Sequence, residues 1–561
     1  MMNGADALMC SLLEENVNTI FGYPGGQVIK IFDAMYSYRD TLQYILTRHE
    51  QGAIHAAEGY ARVSGEPGIV IVTSGPGATN VITGLADAML DSTPLIVITG
   101  QVGNAMLGTD AFQETDVLGI TAPITKWSYQ IRSASEIPWA VARAFYIARE
   151  GRPGPVILDI TKDAQMEMMD YSYKKCAFIR SYQPYPPLQP NSIAKAAELI
   201  NNAKRPMALV GQGVILGHAE EELKAFLTKA DIPAGATLLG LSALPSDFSL
   251  YKGMLGMHGN IGPNQKTTEC DVLIAIGMRF DDRVTGDLKK YAKQAEIIHF
   301  DLDVAEIDKN VKATVPVLGN VKDSLPAVTA LLNSVKHTEW VQSFESCEKQ
   351  EMERVILPEI MPAAGPITMG EVVHKVSEAT KHNAVLVTDV GQNQMMAARY
   401  SKYTKTRSMI TSGGLGTMGY GLPAAIGAAL GAPERTVCLF TGDGGIQMTI
   451  QELGTIMQYK IPVKIIILNN NFLGMVRQWQ ELFYRERYSS TPMDNPDFPK
   501  IAEAYKIAGR KITKREELDD AIQEMLSVNE SYLLEVEVEE NGMVYPMIPA
   551  GTSFEQIILG D

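Results

Sequence analysis

The fold of this chain is decided by Val437-Cys438-Leu439-Phe440-Thr441-Gly442-Asp443-Gly444 and, after a further 24 residues, by Asn469-Asn470. The apolar run 437–441 predicts a buried strand, 450–458 a helix, and the apolar run 463–468 a second strand. Both polar clusters then stand at carboxyl ends of parallel strands, where open α/β sheets bind their ligands. Glycines let the backbone approach a diphosphate. A carboxylate and an amide offer oxygen ligands, which suit a magnesium ion bridging to phosphate. Singly, an aspartate in a tight turn and an asparagine pair in a loop are commonplace. Together, at successive strand ends, Asp443 and Asn470 suggest a metal-diphosphate clamp.

The same alternation extends outward. Apolar runs at 19–21, 44–46, 68–73, 95–99 and 156–159 alternate with helical patterns, which predicts a doubly wound first unit over 1–165. Proline- and tyrosine-rich sequence marks a linker at 166–190. A middle unit, 191–335, has runs ending in Gly211-Gln212-Gly213, Gly277 and Asp301. A charged, proline-bearing linker at 336–365 leads to the third unit, 366–545, and a tail at 546–561. The expected fold class is α/β, with three doubly wound units and mainly parallel sheets. Thr73-Ser74-Gly75 and Thr411-Ser412-Gly413 each follow an apolar run, so duplication of one unit is an open reading.

At 561 residues the chain exceeds a single core. A net charge of -16 without a dense basic block argues against nucleic acid and anionic membranes. No apolar run approaches the ~20 residues of a membrane span, and residues 1–15 lack a signal-peptide pattern. Five scattered cysteines without a CxxC pair suggest neither a zinc cluster nor a disulfide framework, and a reducing, cytoplasmic setting is expected.

Further motifs span all three units in order. They are Phe21-Gly22-Tyr23-Pro24-Gly25-Gly26, Arg48-His49-Glu50-Gln51-Gly52, Thr73-Ser74-Gly75-Pro76-Gly77-Ala78-Thr79-Asn80 and Gly108-Thr109-Asp110-Ala111-Phe112-Gln113-Glu114. Gly151-Arg152-Pro153-Gly154-Pro155, Arg279-Phe280-Asp281-Asp282-Arg283-Val284, Gly414-Leu415-Gly416-Thr417-Met418-Gly419 and Leu473-Gly474-Met475-Val476 complete the set. With the paired clusters of the opening stretch, the chain closely resembles the catalytic large subunits of the acetohydroxyacid (acetolactate) synthase family of thiamine-diphosphate enzymes.

The resemblance implies thiamine diphosphate, Mg2+ and FAD as cofactors, and pyruvate and 2-oxobutyrate as substrates. Glu50 would hydrogen-bond N1' of the cofactor's aminopyrimidine and favour the tautomer that takes the C2 proton, a task expected of a buried carboxyl. Tyr23, Pro24, Gly25, Pro76 and Asn80 would lie on the pyrimidine side. Val390, Gly391, Gln392, Asn393, Gly416, Met418, Gly442, Gly444, Gly445, Leu473, Gly474, Met475 and Val476 would lie on the diphosphate side. Metal ligands would be Asp443, Asn470 and the backbone carbonyl of Phe472. Phe112, Gln113 and Lys162 match positions beside the reacting carbon, and Trp479 the one linked to the larger acceptor. FAD would be held by Arg152, Gly211, Gln212, Gly213, Thr237, Leu238, Gly256, Met257, His258, Gly277, Arg279, Asp281, Arg283, Asp301 and Glu306, with guanidinium groups on its diphosphate and a strand-end acid on a ribose hydroxyl. Active sites would form between the first unit of one chain and the third of another in a homodimer or homotetramer, with a separate regulatory subunit.

Competing readings remain at this level. Gly414 to Gly419 also fits a GxGxxG dinucleotide fingerprint, with Glu434 as its acid. Met418 and Trp479 also fit plain core packing, and Lys162 a solvated strand end. A pyruvate oxidase, an oxo-acid decarboxylase or a non-catalytic relative are other outcomes. Two positions depart from the family pattern: Asn393 stands where histidine is usual and cannot carry its charge, and Phe472 where a polar residue is frequent.

Overall fold

Strands buried on both faces read as unbroken apolar runs, and such strands belong to parallel sheets covered by helices on either side. The computed structural model, which describes residues 1–560, has three such sheets of six strands each, and every strand pair in them is parallel. Leu95–Gln101, Pro155–Thr161 and Val463–Asn469 are buried at all seven positions.

The first sheet runs Gln43–Leu46, Thr19–Tyr23, Gly68–Val72, Leu95–Gln101, Pro155–Thr161, Trp127–Ile131 across its width. The third runs Met409–Ile410, Val385–Thr388, Val437–Gly442, Val463–Asn469, Tyr532–Glu537, Ala508–Ile512. Counted from the first strand of each unit, both have the order 2-1-3-4-6-5, so the likeness noticed in sequence is a likeness of topology. The middle sheet differs: Tyr251–Met254, Ala234–Ala236, Pro206–Val210, Val272–Ile276, Glu296–Asp301, Val315–Leu318 give 3-2-1-4-5-6, the order of dinucleotide-binding sheets.

Within the chain, the first and third units meet through helices Glu50–Ser64 and Gly421–Gly431. A Cβ on Gly427 would lie 1.7 Å from the Ala56 carbonyl oxygen, and one on Gly59 would lie 2.0 Å from that of Ala424. Backbone therefore packs on backbone, which only glycine at those two positions permits.

The segment 336–365, expected as a linker, instead carries helices Thr338–Gln342 and Phe344–Glu351. Tertiary contacts override its charged composition. Trp340 and Phe344 bury against Met207 and Leu209 of the middle sheet, and Glu351 pairs with the buried Arg399 of the third unit at 2.6 Å. The tail returns to the middle unit, where Ile548 N–H donates to the Met257 carbonyl at 2.8 Å. Among the described residues, no helix is long and apolar enough to cross a membrane.

Candidate functional site

In the third sheet the chain reverses direction of growth between Val385–Thr388 and Val437–Gly442, which opens a crevice at their carboxyl ends. Val390, Gly391, Gln392 and Asn393 border it on one side and Gly442 to Gly445 on the other. Asp443 opens a short helix and is 1% exposed. Burial pushes its carboxyl up to about 6, against the pull of the Asn495 amide and the N–H groups of Asp443, Gly444 and Asn471. Asn495 Nδ2 donates to Asp443 Oδ2 at 2.6 Å and to the Oδ1 atoms of Asn469 and Asn471 at 3.2 Å, while its own Oδ1 accepts from Gln447. Asn470, also buried, donates to Gln392 Oε1 at 3.2 Å and accepts from Phe472 N–H at 3.3 Å.

These oxygen-rich side chains fit a hard divalent cation. A Cβ at 474 would lie 2.1 Å from Gln392 Oε1 and 2.8 Å from Asn470 Nδ2, so any larger residue there would displace the two amides that meet at this strand end. Asn393 is buried and its Oδ1 has no partner among the described residues. Its amide can present either end to the crevice, so a donor for phosphate is available despite the missing charge. Phe472 lies in the loop before helix Gly474–Phe483, its ring under the Arg477 guanidinium at 5.2 Å. Arg477 is fixed in turn by Glu481 at 2.7 Å and Asn541 at 2.8 Å.

The first sheet has its own reversal, between Thr19–Tyr23 and Gly68–Val72. Here the turn with Tyr23, Pro24 and Gly25 faces Thr73, since a Cβ on Gly25 would lie 2.5 Å from the Thr73 side chain. Glu50 is the first residue of helix Glu50–Ser64, capped by His49 Nδ1 accepting from Gln51 N–H. Asn80 Nδ2 donates to Glu50 Oε2 at 2.9 Å. Oε1 is left on the side of the Gly75-Pro76-Gly77 turn, 3.6 Å from where a Cβ on Gly77 would stand. In the single chain Glu50 is half-buried and not buried as expected, because the helix start opens onto the crevice. Gln113, at a φ of +62°, packs its backbone on Gly75. Phe112 beside it is 83% exposed, and Lys162, at the start of helix Lys162–Met166, is exposed too.

A cavity of about 680 Å³ lies between the middle sheet and the other two units. Gln212, Gly213, Thr237, Leu238, Gly256, Met257, His258, Gly277, Arg279, Asp281, Arg283, Asp301, Arg152 and Glu306 line it, all expected for FAD. They converge because each follows a strand of one parallel sheet or reaches in from its rim. Gly211 is the expected residue that stays outside the lining; it packs under Gly277, whose carbonyl oxygen would meet a Cβ on Gly211 at 2.1 Å. Arg152 bridges units, pairing with Glu306 at 2.7 Å and Asp303 at 3.2 Å. His258 is buried and held down to about 4, so it is neutral. The same cavity reaches Val390, Gly391, Gly416, Met475 and Trp479, so the middle unit opens directly onto the third unit's crevice.

The dinucleotide reading of Gly414 to Gly419 does not survive. Glu434 sits in the turn after helix Gly421–Gly431, at the amino end of Val437–Gly442 and on the opposite side of the sheet from the crevice.

Three residues escaped the sequence reading. Asn495 looks like a turn residue before Pro496. Glu452, pushed up to about 7 by burial, accepts from Arg48 N–H at 3.0 Å and anchors the loop before Glu50. Asp389 accepts from the N–H groups of Gly419 and Gly421 at 3.0 Å and holds the end of the Met418 loop. Each acts across a sequence distance that no local pattern spans.

Comparison with known proteins agrees with this layout. Residues 2–120 match the N-terminal TPP binding domain of thiamine pyrophosphate enzymes, 193–328 the central domain and 389–536 the C-terminal TPP binding domain. The chain is 43% identical to the acetolactate synthase large subunit of Haemophilus influenzae over 565 residues, covering 100% of this chain and 98% of that one. It is 43% identical to the acetolactate synthase isozyme 2 large subunit of Escherichia coli over 558 residues, covering 99% of both. Matched in all three domains and along its whole length, the protein belongs to the acetolactate synthase large-subunit family of thiamine pyrophosphate enzymes.

Proposed function

We propose that the chain is a catalytic acetolactate synthase subunit, which joins the two-carbon unit of pyruvate to a second pyruvate or to 2-oxobutyrate in branched-chain amino acid biosynthesis. The observation that carries this reading is the pair of matching switch points. Glu50 with Asn80 stands at one, and Asp443 with Asn470 at the other, in two units of the same strand order. Thiamine diphosphate, when bound, supplies the carbon centre on which pyruvate loses carbon dioxide and from which the remaining unit is transferred.

The chain's own residues prepare that chemistry. Asp443, Asn470 and the Phe472 carbonyl would hold Mg2+, the glycines at 442, 444 and 474 would admit the diphosphate, and Glu50 would hold a proton at N1'. Met418, on the loop whose end Asp389 holds, would support the cofactor. The cavity of the middle unit takes FAD, as its strand order, glycine floor and paired guanidinium groups favour. Phe112, Gln113 and Lys162 lie on the open face of the first unit, so a second copy of the chain completes the site, and a smaller regulatory subunit and a cytoplasmic setting go with this reading. Trp479, which lines the cavity, would lie beside the acceptor and favour 2-oxobutyrate.

The test is to incubate purified protein with pyruvate, thiamine diphosphate, Mg2+ and FAD, and to identify the product. 2-Acetolactate is expected. Acetaldehyde as the main product, or oxygen-dependent acetyl phosphate, would refute the proposal.

A further inference from the structure

We propose that Asp91, with its ion-pair partner Arg62, is a positioning residue for the loop that carries Met418, so that the first unit fixes a cofactor contact made by the third unit of its own chain. The inference rests on the placement of thiamine diphosphate beside Gly416 and Met418 given above.

Asp91 follows helix Ile82–Leu90 and is fully buried. Its Oδ2 accepts from Arg62 Nη1 at 3.0 Å and from Gly413 N–H at 2.8 Å, and its Oδ1 accepts from Gly414 N–H at 2.7 Å. One residue earlier in the loop, Ser412 Oγ donates to Asp87 Oδ1 at 2.7 Å and accepts from Thr417 N–H at 2.9 Å. The start of the loop is thus tied to two carboxyl groups of the first unit, and its end to Asp389. Between these anchors residues 414 to 416 are exposed and Met418 is half-buried. A side chain at 414 would lie 2.8 Å from Asp91 Oδ1, so carboxylate and loop backbone are in contact with no slack.

The charges around this point single out the pair. His55, Glu58 and Asp87 are buried within 4.8 Å of one another, beside Tyr420. Burial raises both carboxyl groups, Asp87 to about 8, and keeps His55 neutral. Arg62 and Asp91 form the buried guanidinium–carboxylate pair of the junction, 3.0 Å apart. A carboxylate whose charge is balanced by a guanidinium still offers strong, directional bonds to N–H groups. Here both of its oxygens reach the loop backbone. Misplacing a group by about 1 Å near the chemistry can slow a reaction by 10²-fold, so the clamp acts on rate through Met418.

The test uses Asp91→Asn and Ser412→Ala in the full-length holoenzyme. Expected for both are retained thiamine diphosphate and flavin, a pyruvate KM within about threefold of wild type, and kcat and deuterium exchange at cofactor C2 lowered at least about tenfold. The near-ultraviolet circular dichroism of the bound cofactor's pyrimidine should change with them. A holo variant with wild-type exchange and spectrum would overturn the proposal. Should Asp91→Asn fail to fold, Ser412→Ala carries the test, and amide hydrogen exchange on the wild-type holoenzyme adds a second. Gly413 and Gly414 should be protected despite their place in an open loop, and unprotected amides there would overturn it as well. If the wild-type protein shows no thiamine-dependent exchange at all, the proposed function fails and not the clamp.

Discussion

Glu50→Gln tests the assignment of the catalytic carboxyl. Asn80 approaches Glu50 Oε2 as a donor at 2.9 Å, so the substituted amide must turn its carbonyl toward Asn80. Its NH2 group then faces the side where Oε1 stood, toward the glycine turn and the cofactor's pyrimidine. It can still donate one hydrogen bond to N1', so thiamine diphosphate should bind with a half-saturation within about tenfold of wild type, a loss below ~1.4 kcal/mol. It cannot exchange a proton with N1' as a carboxyl does. Proton transfer by a positioned side chain contributes about 10²–10⁴ in rate, equivalent to ~3–5 kcal/mol in the barrier. Deuterium exchange at C2, followed by NMR of acid-quenched cofactor, should slow by that factor at saturating cofactor and Mg2+. Exchange within threefold of wild type in a fully loaded variant would remove Glu50 from its role.

Three further outcomes are expected. Asn495→Ala removes the 2.6 Å donor that orients Asp443, a charge-assisted bond of about 1.5–3 kcal/mol. It should raise the Mg2+ concentration for half-maximal cofactor binding by roughly tenfold or more, and an unchanged value in a fluorescence titration would exclude the orienting role. Gly427→Ala drives a methyl group to 1.7 Å from the Ala56 carbonyl, so the two helices must part, at a cost of ~3 kcal/mol or more, and the unfolding midpoint should drop by several degrees. Gly26→Ala, with nothing within 4 Å of its Cβ, is the control that should leave the midpoint unmoved. Asp87 faces Glu58, Asp91, Arg62 and His55, and its folded pKa of about 8 lies above the ordinary carboxyl value. The native state therefore holds the extra proton, and this stabilisation is complete below the unfolded pKa and is lost as pH rises through 8. The unfolding free energy should fall from about pH 4 to pH 8, by up to ~1.4 kcal/mol per pH unit for one proton, and level off above pH 8. Asp87→Asn should flatten the profile, and a wild-type stability that rises over this range would contradict the assignment.

Much of the molecule was legible because parallel buried strands write themselves as apolar runs. Functional residues at their carboxyl ends are then fixed in space by topology, which is why Gln212, Gly277 and Asp301, far apart in sequence, line one cavity. Asp443 and Asn470 were legible for the same reason. The helices at 338–351 were not, since their charged composition hides the few anchors, Trp340 and Phe344, that decide their fate. Asn495, Glu452 and Asp389 were missed because each reaches a partner dozens to hundreds of residues away, and a lone polar residue carries no period. Glu50 is half-buried in the single chain, where that helix start is open.

The glycine seam between the first and third units bears on how such a protein can diversify. Interfaces made of side chains drift by compensating exchange, a larger residue on one face answered by a smaller one on the other. Where Gly59 and Gly427 bring main chain against main chain, there is no side chain left to trade. Recombination that imports the first unit from a relative must therefore import the third with it.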